Sequence, residues 1–436
     1  MAGLVAYAAL IATFFIVGRA VRNLFFHPLR KIPGPRLAAA TSLWLFYKEM
    51  KAYSDEEVFN LHKRLGPLVR IAPNEVSICD LEAYRNVIYS SNTTFLKSPY
   101  YYNAFDNPGG SVFSETNKAA HSAEKRLLSH AFSRANLLGM QGLLYSICDR
   151  WIKQLDKYVK ENRPIPLWHA SQCFTLEATS MFSYGSSNGS LEQEDLLHPL
   201  FLAFENLAVI VTVFQRLPIV QIILGKLQTL IPFGFPDVHR GSRKGLAKLK
   251  SQKDHQDGEG LVMFESMTKK AAEQHFDMDN DRMISNGSLM LSAGTGTTGL
   301  SITTAIFSLA EQPDLWRELQ GELLSAFPDP SATPDVVELE KIPLLEACVK
   351  EATRVAVPIR GKHPREVPEG GWKYKEYFLP AKTVISASPL FHCHDEHVFE
   401  DPKMFKPKRW LKNDTKIMQQ SHLVFSSGSR MCIGQK

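Results

Sequence analysis

Apolar and polar residues change their rhythm several times along this chain. Ala2 to Val17, "AGLVAYAALIATFFIV", carries no charge; Gly18 leads to Arg19 and Arg22, and a second apolar patch, "LFF", follows at 24–26. The run is near the short limit for a helix that spans a bilayer. "KIPGPR" at 31–36 is punctuated by Pro and Gly and predicts a stiff connector. In "LVRIAPNEVSI" at 68–78, apolar and polar positions alternate around Pro-Asn, the pattern of a two-stranded hairpin. From about 115 to 230, and again from 281 to 356, apolar residues recur at helical spacing. Shorter strand-like pieces follow, among them "WKYKEYFLPAKTVISASPL" at 372–390, read as a strand pair. The pattern predicts a mainly α fold with a minor β-sheet, without internal repeats or low-complexity tracts.

Two segments break the pattern. Residues 201–235 are very apolar but interrupted by Glu205, Arg216, Pro218 and Lys226, too often for a clean span. A helix pair whose apolar tip touches a bilayer fits better. The other segment, 283–310, has no charged residue at all. Within it, Gly294-Thr295-Gly296-Thr297-Thr298-Gly299 matches the dinucleotide fingerprint GxGxxG. That motif requires a strand before it and an acid about twenty residues later at a second strand's end. The acid here is Asp314, beside Pro313, which marks the first turn of a helix, so the fingerprint fails. Asp281 to Gln312 instead predicts one helix about 48 Å long through the core. Its three motif glycines, Gly294, Gly296 and Gly299, cost about 1 kcal/mol each in mid-helix relative to alanine. Close helix packing would compensate, and so would the approach of a flat cofactor to the backbone.

Charge and composition narrow the function. A net charge of +5 over 436 residues, with neither a basic arm nor a zinc spacing, excludes a nucleic-acid reader. Six scattered cysteines (79, 148, 173, 348, 393 and 432), with no CxxC, suit a reducing compartment. The basic residues Arg19, Arg22, Arg30, Lys31 and Arg36 all follow the first apolar run, and no cleavage pattern is visible. By the positive-inside rule, residues 1–26 are then an uncleaved single-pass signal anchor, residues 27–36 a hinge, and residues 37–436 a cytosolic domain. Sequons such as Asn92-Thr93-Thr94 would never be glycosylated.

The candidate chemistry lies near the end of the chain. In "FSSGSRMCIGQK", Phe425, Gly428, Arg430 and Gly434 frame Cys432. A thiolate needs a nearby positive field or metal, and glycine turns expose N–H groups that hydrogen-bond sulfur. Upstream, Glu351 and Arg354 lie three apart on one helix face in an otherwise apolar segment, and Arg409 follows in "FKPKRW".

With these residues in view, nearly the whole chain resembles the cytochrome P450 family, in its fungal microsomal type. FxxGxRxCxG is met by Phe425, Gly428, Arg430, Cys432 and Gly434; ExxR by Glu351 and Arg354; P-x-R-[FW] by Pro407, Arg409 and Trp410; [AG]GxxT by Ala293, Gly294 and Thr297. The resemblance implies heme b with Cys432 as axial thiolate ligand, and Arg430 and Arg365 as propionate partners. His121 stands where the family often has tryptophan in W-x-x-x-R, with Lys125 or Arg126 as the basic partner. Glu351, Arg354 and Arg409 would form a structural triad, Ala293 and Gly294 would border the cofactor, and Thr297 would bind dioxygen and deliver protons. It further implies an endoplasmic reticulum membrane anchor, NADPH-cytochrome P450 reductase as electron donor, and a lipophilic substrate, with "PYYYNAF" (99–105) suggesting aromatic lining.

Two departures qualify the expected hydroxylation. Gly296 replaces the acid that usually precedes the threonine, so water or a substrate hydroxyl would take its part, or the enzyme is an isomerase or dehydratase. The sequence given also ends at Lys436, where the family continues into a further helix and hairpin. This predicts a truncated chain that binds heme poorly, and the non-enzymatic alternative is a heme-poor remnant.

Overall fold

A computed structural model describes residues 1–106, 109–217, 219–220, 222–223, 235–251, 262–276, 279–329 and 333–435. They form two compact units. The first comprises Met1–Tyr101, Arg360–His392 and Ser426–Met431; the second comprises Tyr102–Ile359, Cys393–Phe425 and Cys432–Lys436.

Among the described residues, all strands belong to the first unit: β1 (Leu68–Ala72), β2 (Glu75–Ile78), β3 (Leu96–Lys97), β4 (Arg365–Glu366), β5 (Trp372–Tyr374), β6 (Tyr377–Leu379) and β7 (Val384–Ser386). The predicted hairpin is β1–β2, turning at Pro73-Asn74. It extends into a sheet of order β1-β2-β7-β4-β3, in which β2 and β7 run parallel. The stretch 372–390 is more than the strand pair expected. β5 and β6 form a separate hairpin, and β7 joins the larger sheet. Pro380 has no N–H to continue the ladder, and Lys382, at φ +62°, turns the chain away.

Alternation in β1 and β2 predicts a solvated polar face, yet Arg70, Glu75 and Ser77 are all buried. Burying charge requires partners. Arg70 donates to the carbonyls of Asn23 (3.1 Å) and Pro73 (2.7 Å). Glu75 accepts from Lys362 Nζ (2.7 Å), Tyr100 OH (2.8 Å) and Ser386 Oγ (3.0 Å). Tyr100, expected as aromatic lining, is thus committed to this network. The Pro/Gly connector is pinned as well. Arg70 N donates to Pro33 O at 2.7 Å, and a side chain at Gly34 would collide with the Arg70 carbonyl. Ahead of it, the exposed helix Ala2–Val21 lies in an apolar stretch, Gly3–Phe26, long enough to cross a membrane.

The second unit is helical. Its axis is the helix Asn280–Ala310, whose first N–H groups are met by Asp279, which accepts from Arg282 N. This confirms a helix where GxGxxG suggested a phosphate loop. The helix Leu167–Tyr184 packs along it, and the apolar core gathers around residues such as Leu127, Leu176, Phe264 and Leu291. The helix Pro199–Arg216 buries Phe201, Val211 and Phe214 while exposing Leu202 and Val209. Most of the apolar segment after it, including Pro218 and Lys226, lies outside the described residues.

The glycines of the long helix divide by face. A Cβ at Gly287 would lie 2.1 Å from Ser242 Oγ and 2.4 Å from Tyr184 OH, and one at Gly294 would lie 2.7 Å from Thr179 Oγ1. Gly299 abuts Gln172 and Thr175 at 3.3 Å. These are helix-packing glycines. At Gly296 a Cβ would meet nothing within 4 Å. Opposite outcomes are expected from alanine. Gly296→Ala should raise stability by about 1 kcal/mol through helix propensity. Gly287→Ala should lower it by about 1–2 kcal/mol, because overpacking outweighs that gain. Denaturant unfolding followed by circular dichroism measures both.

Candidate functional site

The helix Pro343–Ala356 brings Glu351 and Arg354 into the core, where neither side chain retains exposed surface. Arg354 grips Glu351 bidentately, Nε to Oε2 at 2.9 Å and Nη2 to Oε1 at 2.8 Å. Arg409 Nε reaches Oε1 at 3.1 Å, Lys406 N donates to Oε1 at 2.9 Å, and Trp410 Nε1 donates to Oε2 at 2.8 Å. Arg354 also donates to the carbonyls of Cys393, Pro402 and Met404. An i,i+3 pair on a surface is worth little; this one is buried and fully engaged, and removing one member would strand charge in the core. Burial alone would raise the Glu351 carboxyl. The hydrogen bonds and charge of Arg354, the Lys406 N–H and Arg409 outweigh it and hold the group below the usual carboxylate range.

From Glu351 a chain of contacts runs to the cysteine. The Trp410 ring meets His422 edge-on at 5.6 Å, and His422 meets Phe425 at 6.4 Å. His422 Nε2 pairs with Thr353 Oγ1 at 2.9 Å. Burial, with Arg354 and Lys350 nearby, pushes this imidazole down to about 4, so it is neutral. Cys432 N then donates to Phe425 O at 2.9 Å. Cys432 is exposed, although the protein around its sulfur pushes the thiol up against the opposing pull of the Gly434 N–H and Lys125. Gly434 lies beside Phe132; a Cβ there would sit 3.9 Å from both the Cys432 sulfur and the Phe132 ring.

The helix Lys118–Ser129 separates the two basic candidates. His121 is buried and Lys125, one turn on, acts on the Cys432 sulfur, whereas Arg126 is exposed. On the long helix, Ala293 is exposed and Thr297 Oγ1 donates to Ala293 O at 2.6 Å. Gly294 faces away from these, toward Thr179.

In the first unit, Gly428 sits at φ +71°, where a Cβ would lie 2.1 Å from Tyr89 O, so only glycine fits this turn. Ser427 Oγ donates to the same carbonyl at 3.0 Å, and Arg430 closes the turn. Arg365 is buried, with its guanidinium 4.9 Å from the Tyr89 ring centroid. Directly across β3–β4 stands Lys97, also buried. Like charges opposite one another on a strand pair repel, so this arrangement suits an anionic group. Burial and these two cations push His363 down to about 3.

Sequence reasoning missed Lys97 and His422, because a lone lysine or histidine carries no spacing signal. Among the described residues no cluster of three or more His, Cys, Asp or Glu side chains could hold a metal ion. A single accessible thiol flanked by an N–H and a lysine therefore fits a metal that brings its other ligands with it, as heme iron does.

Glu351→Gln should destabilise the chain by about 3–5 kcal/mol at pH 7, since Arg354 and Arg409 lose their counter-charge. Because the folded carboxyl titrates below its unfolded value, its contribution is whole above the usual carboxylate range, starts to fall within it, and is lost only as pH drops through the lower folded value. Urea unfolding at stepwise lower pH should show the gap between wild type and variant starting to narrow only near about pH 4 and closing at more acidic pH.

Comparison with known proteins agrees with this geometry. The family model described as "Cytochrome P450" matches residues 33–436. The chain is 26% identical to the cytochrome P450 monooxygenase sol6 of Alternaria solani, over 96% of this chain and 92% of that protein. It is 27% identical to the cytochrome P450 monooxygenase TRI4 of Trichoderma arundinaceum, over 94% of this chain and 81% of that protein. It is also 27% identical to the fusicoccadiene C-8 hydroxylase of Phomopsis amygdali, over 96% of this chain and 83% of that protein. With a family match across almost the entire chain and a thiol set in a loop that geometry holds in place, this protein belongs to the cytochrome P450 family and is a monooxygenase.

Proposed function

We propose that this monooxygenase hydroxylates a lipophilic small molecule of fungal secondary metabolism. Residues 1–26 anchor it once in the endoplasmic reticulum membrane, residues 27–36 form the hinge, and residues 37–436 act in the cytosol on electrons from NADPH-cytochrome P450 reductase. The relatives support the substrate class: one is named for hydroxylating fusicoccadiene. The apolar helix ahead of the hinge supports the anchor.

The observation that carries the reading is the exposed Cys432 thiol with Lys125 and the Gly434 N–H at its sulfur. When bound through that sulfur, heme supplies the capacity to activate dioxygen. The chain's own residues do the rest. Lys125 and the Gly434 N–H oppose protonation of the sulfur. His121, with Lys125 in preference to Arg126, and Arg430 and Arg365, with Lys97 beside Arg365, are assigned to the propionates. Glu351, Arg354 and Arg409 hold the polypeptide that leads into the cysteine loop. Thr297 Oγ1 spends its proton on Ala293 O, and exchanging that bond turns the proton toward the open side of the helix. Ala293 lines that side, whereas Gly294 packs against Thr179.

Gly296 favours a second reading, since no acid stands beside Thr297. A heme-thiolate isomerase or dehydratase would turn over without NADPH or reductase, whereas the hydroxylase requires both. The first test is the carbon monoxide difference spectrum of the reduced full chain in yeast microsomes. A band at the family's namesake wavelength is expected, and it should be absent in Cys432→Ser. Lys125→Ala should lower the band several-fold while Arg126→Ala leaves it in place. A blue-shifted band in wild type would refute thiolate ligation, and no heme signal from well-expressed protein would favour the heme-poor alternative.

A further inference from the structure

Two buried tyrosines of the first unit have no part in the proposed function. Tyr84 and Tyr89 are five residues apart, which in an α-helix would set their side chains about 140° apart. The chain is wound more loosely over Ala83–Ile88. Tyr89 N donates to Tyr84 O at 2.9 Å, a π-turn that returns the fifth residue toward the same side. The two rings accordingly stack, with centroids 4.1 Å apart. Such turns are rare and frequently sit at functional sites.

Tyr89 reaches two places at once. Its ring lies beneath Arg365, with the guanidinium carbon 4.9 Å from the centroid, and its hydroxyl donates to His363 O, two residues before Arg365. Its own carbonyl accepts from Ser427 Oγ at 3.0 Å and stands 2.1 Å from where a Cβ at Gly428 would lie. The stack reaches the same loop a second time, because Tyr84 OH and Ser426 Oγ are hydrogen-bonded at 3.0 Å. One residue therefore fixes the backbone and guanidinium of 363–365 on one side and the turn Gly428–Arg430 on the other. The Tyr89 ring, the Pro364 carbonyl (3.0 Å) and the neutral His363 hold the Arg365 guanidinium in place without neutralising it.

We propose that Tyr89 is a positioning residue for the cofactor's carboxylates, holding Arg365 and the turn that carries Arg430 in one register before heme binds. This rests on the heme-monooxygenase reading and on the assignment of those two arginines. Groups already ordered lose no entropy when a ligand arrives. Loosening their common support should therefore weaken the hold on the carboxylates and spare the sulfur ligand.

The test uses the full-length holoprotein. Heme transfer to excess apomyoglobin gives the rate of heme loss. Resonance Raman spectra of the ferric protein report separately on the propionate bending modes and on the iron–sulfur stretch. Tyr89→Leu removes both the ring beneath Arg365 and the hydroxyl, whereas Tyr89→Phe keeps the ring and removes only the bond to His363 O. Tyr89→Leu should lose heme about five- to tenfold faster, with the propionate modes moved to lower frequency and the iron–sulfur stretch in place. Tyr89→Phe should move the same modes in the same direction, with heme loss about two- to threefold faster. If Tyr89→Leu does not fold, the Tyr89→Phe spectrum decides. Propionate modes unmoved in the folded variants, or an iron–sulfur stretch that shifts with them, would overturn the inference while leaving the heme site intact. Absence of heme from well-expressed wild type would overturn the heme reading and this inference with it.

Discussion

The buried carboxylate of Glu351 is the constraint on which the second unit's chemistry depends. Burying one charge is costly, and the chain meets that cost with two guanidinium groups, an indole N–H and a backbone N–H. These donors come from two segments about fifty residues apart, so satisfying a single side chain fixes the path of 402–410 against the helix Pro343–Ala356. Trp410, placed by its hydrogen bond to Glu351, in turn orders His422 and then Phe425, whose carbonyl accepts from Cys432 N. The cysteine is thus positioned by a relay of packing that begins with electrostatics four contacts away.

A second constraint is the helix Asn280–Ala310, which carries no charged residue from Met283 onward. Its hydroxyls satisfy themselves on carbonyls one turn back, as with Ser288, Ser292, Thr297 and Ser301. This lets a polar sequence run through the interior without charged partners. The packing glycines at 287, 294 and 299 let neighbouring helices approach, and the face carrying Ala293 and Gly296 is left open. The same helix therefore serves as scaffold on one side and, in the proposed function, as reaction surface on the other.

Much of this was legible from local pattern. The hairpin at 68–78 has a period of two and a local turn, and the long helix shows as a charge-free stretch, 283–310, read as helix from about Asp281 to Gln312, ahead of Pro313. Burial of the polar strand positions was not legible, because the partners of Glu75 include Tyr100 and Lys362, both remote in sequence. The Glu351–Arg354 spacing looks the same on a surface as in a core; only Lys406, Arg409 and Trp410, brought in by the fold, distinguish the two. Glycines 294 and 296 are equivalent in a motif, yet 200° of helical rotation sends one into a neighbouring helix and the other into open space. Lys125 and Arg126 were indistinguishable for the same reason, since adjacent helical residues face different directions.

The central claim is that Cys432 holds heme iron through its sulfur. Electron paramagnetic resonance of the resting ferric protein tests it most directly, because the spectrum reports the axial ligand rather than the mere presence of heme. The account predicts a rhombic low-spin signal of thiolate-ligated heme that disappears in Cys432→Ser. An axial high-spin signal in the wild-type chain, or a low-spin signal that survives the substitution, would contradict it.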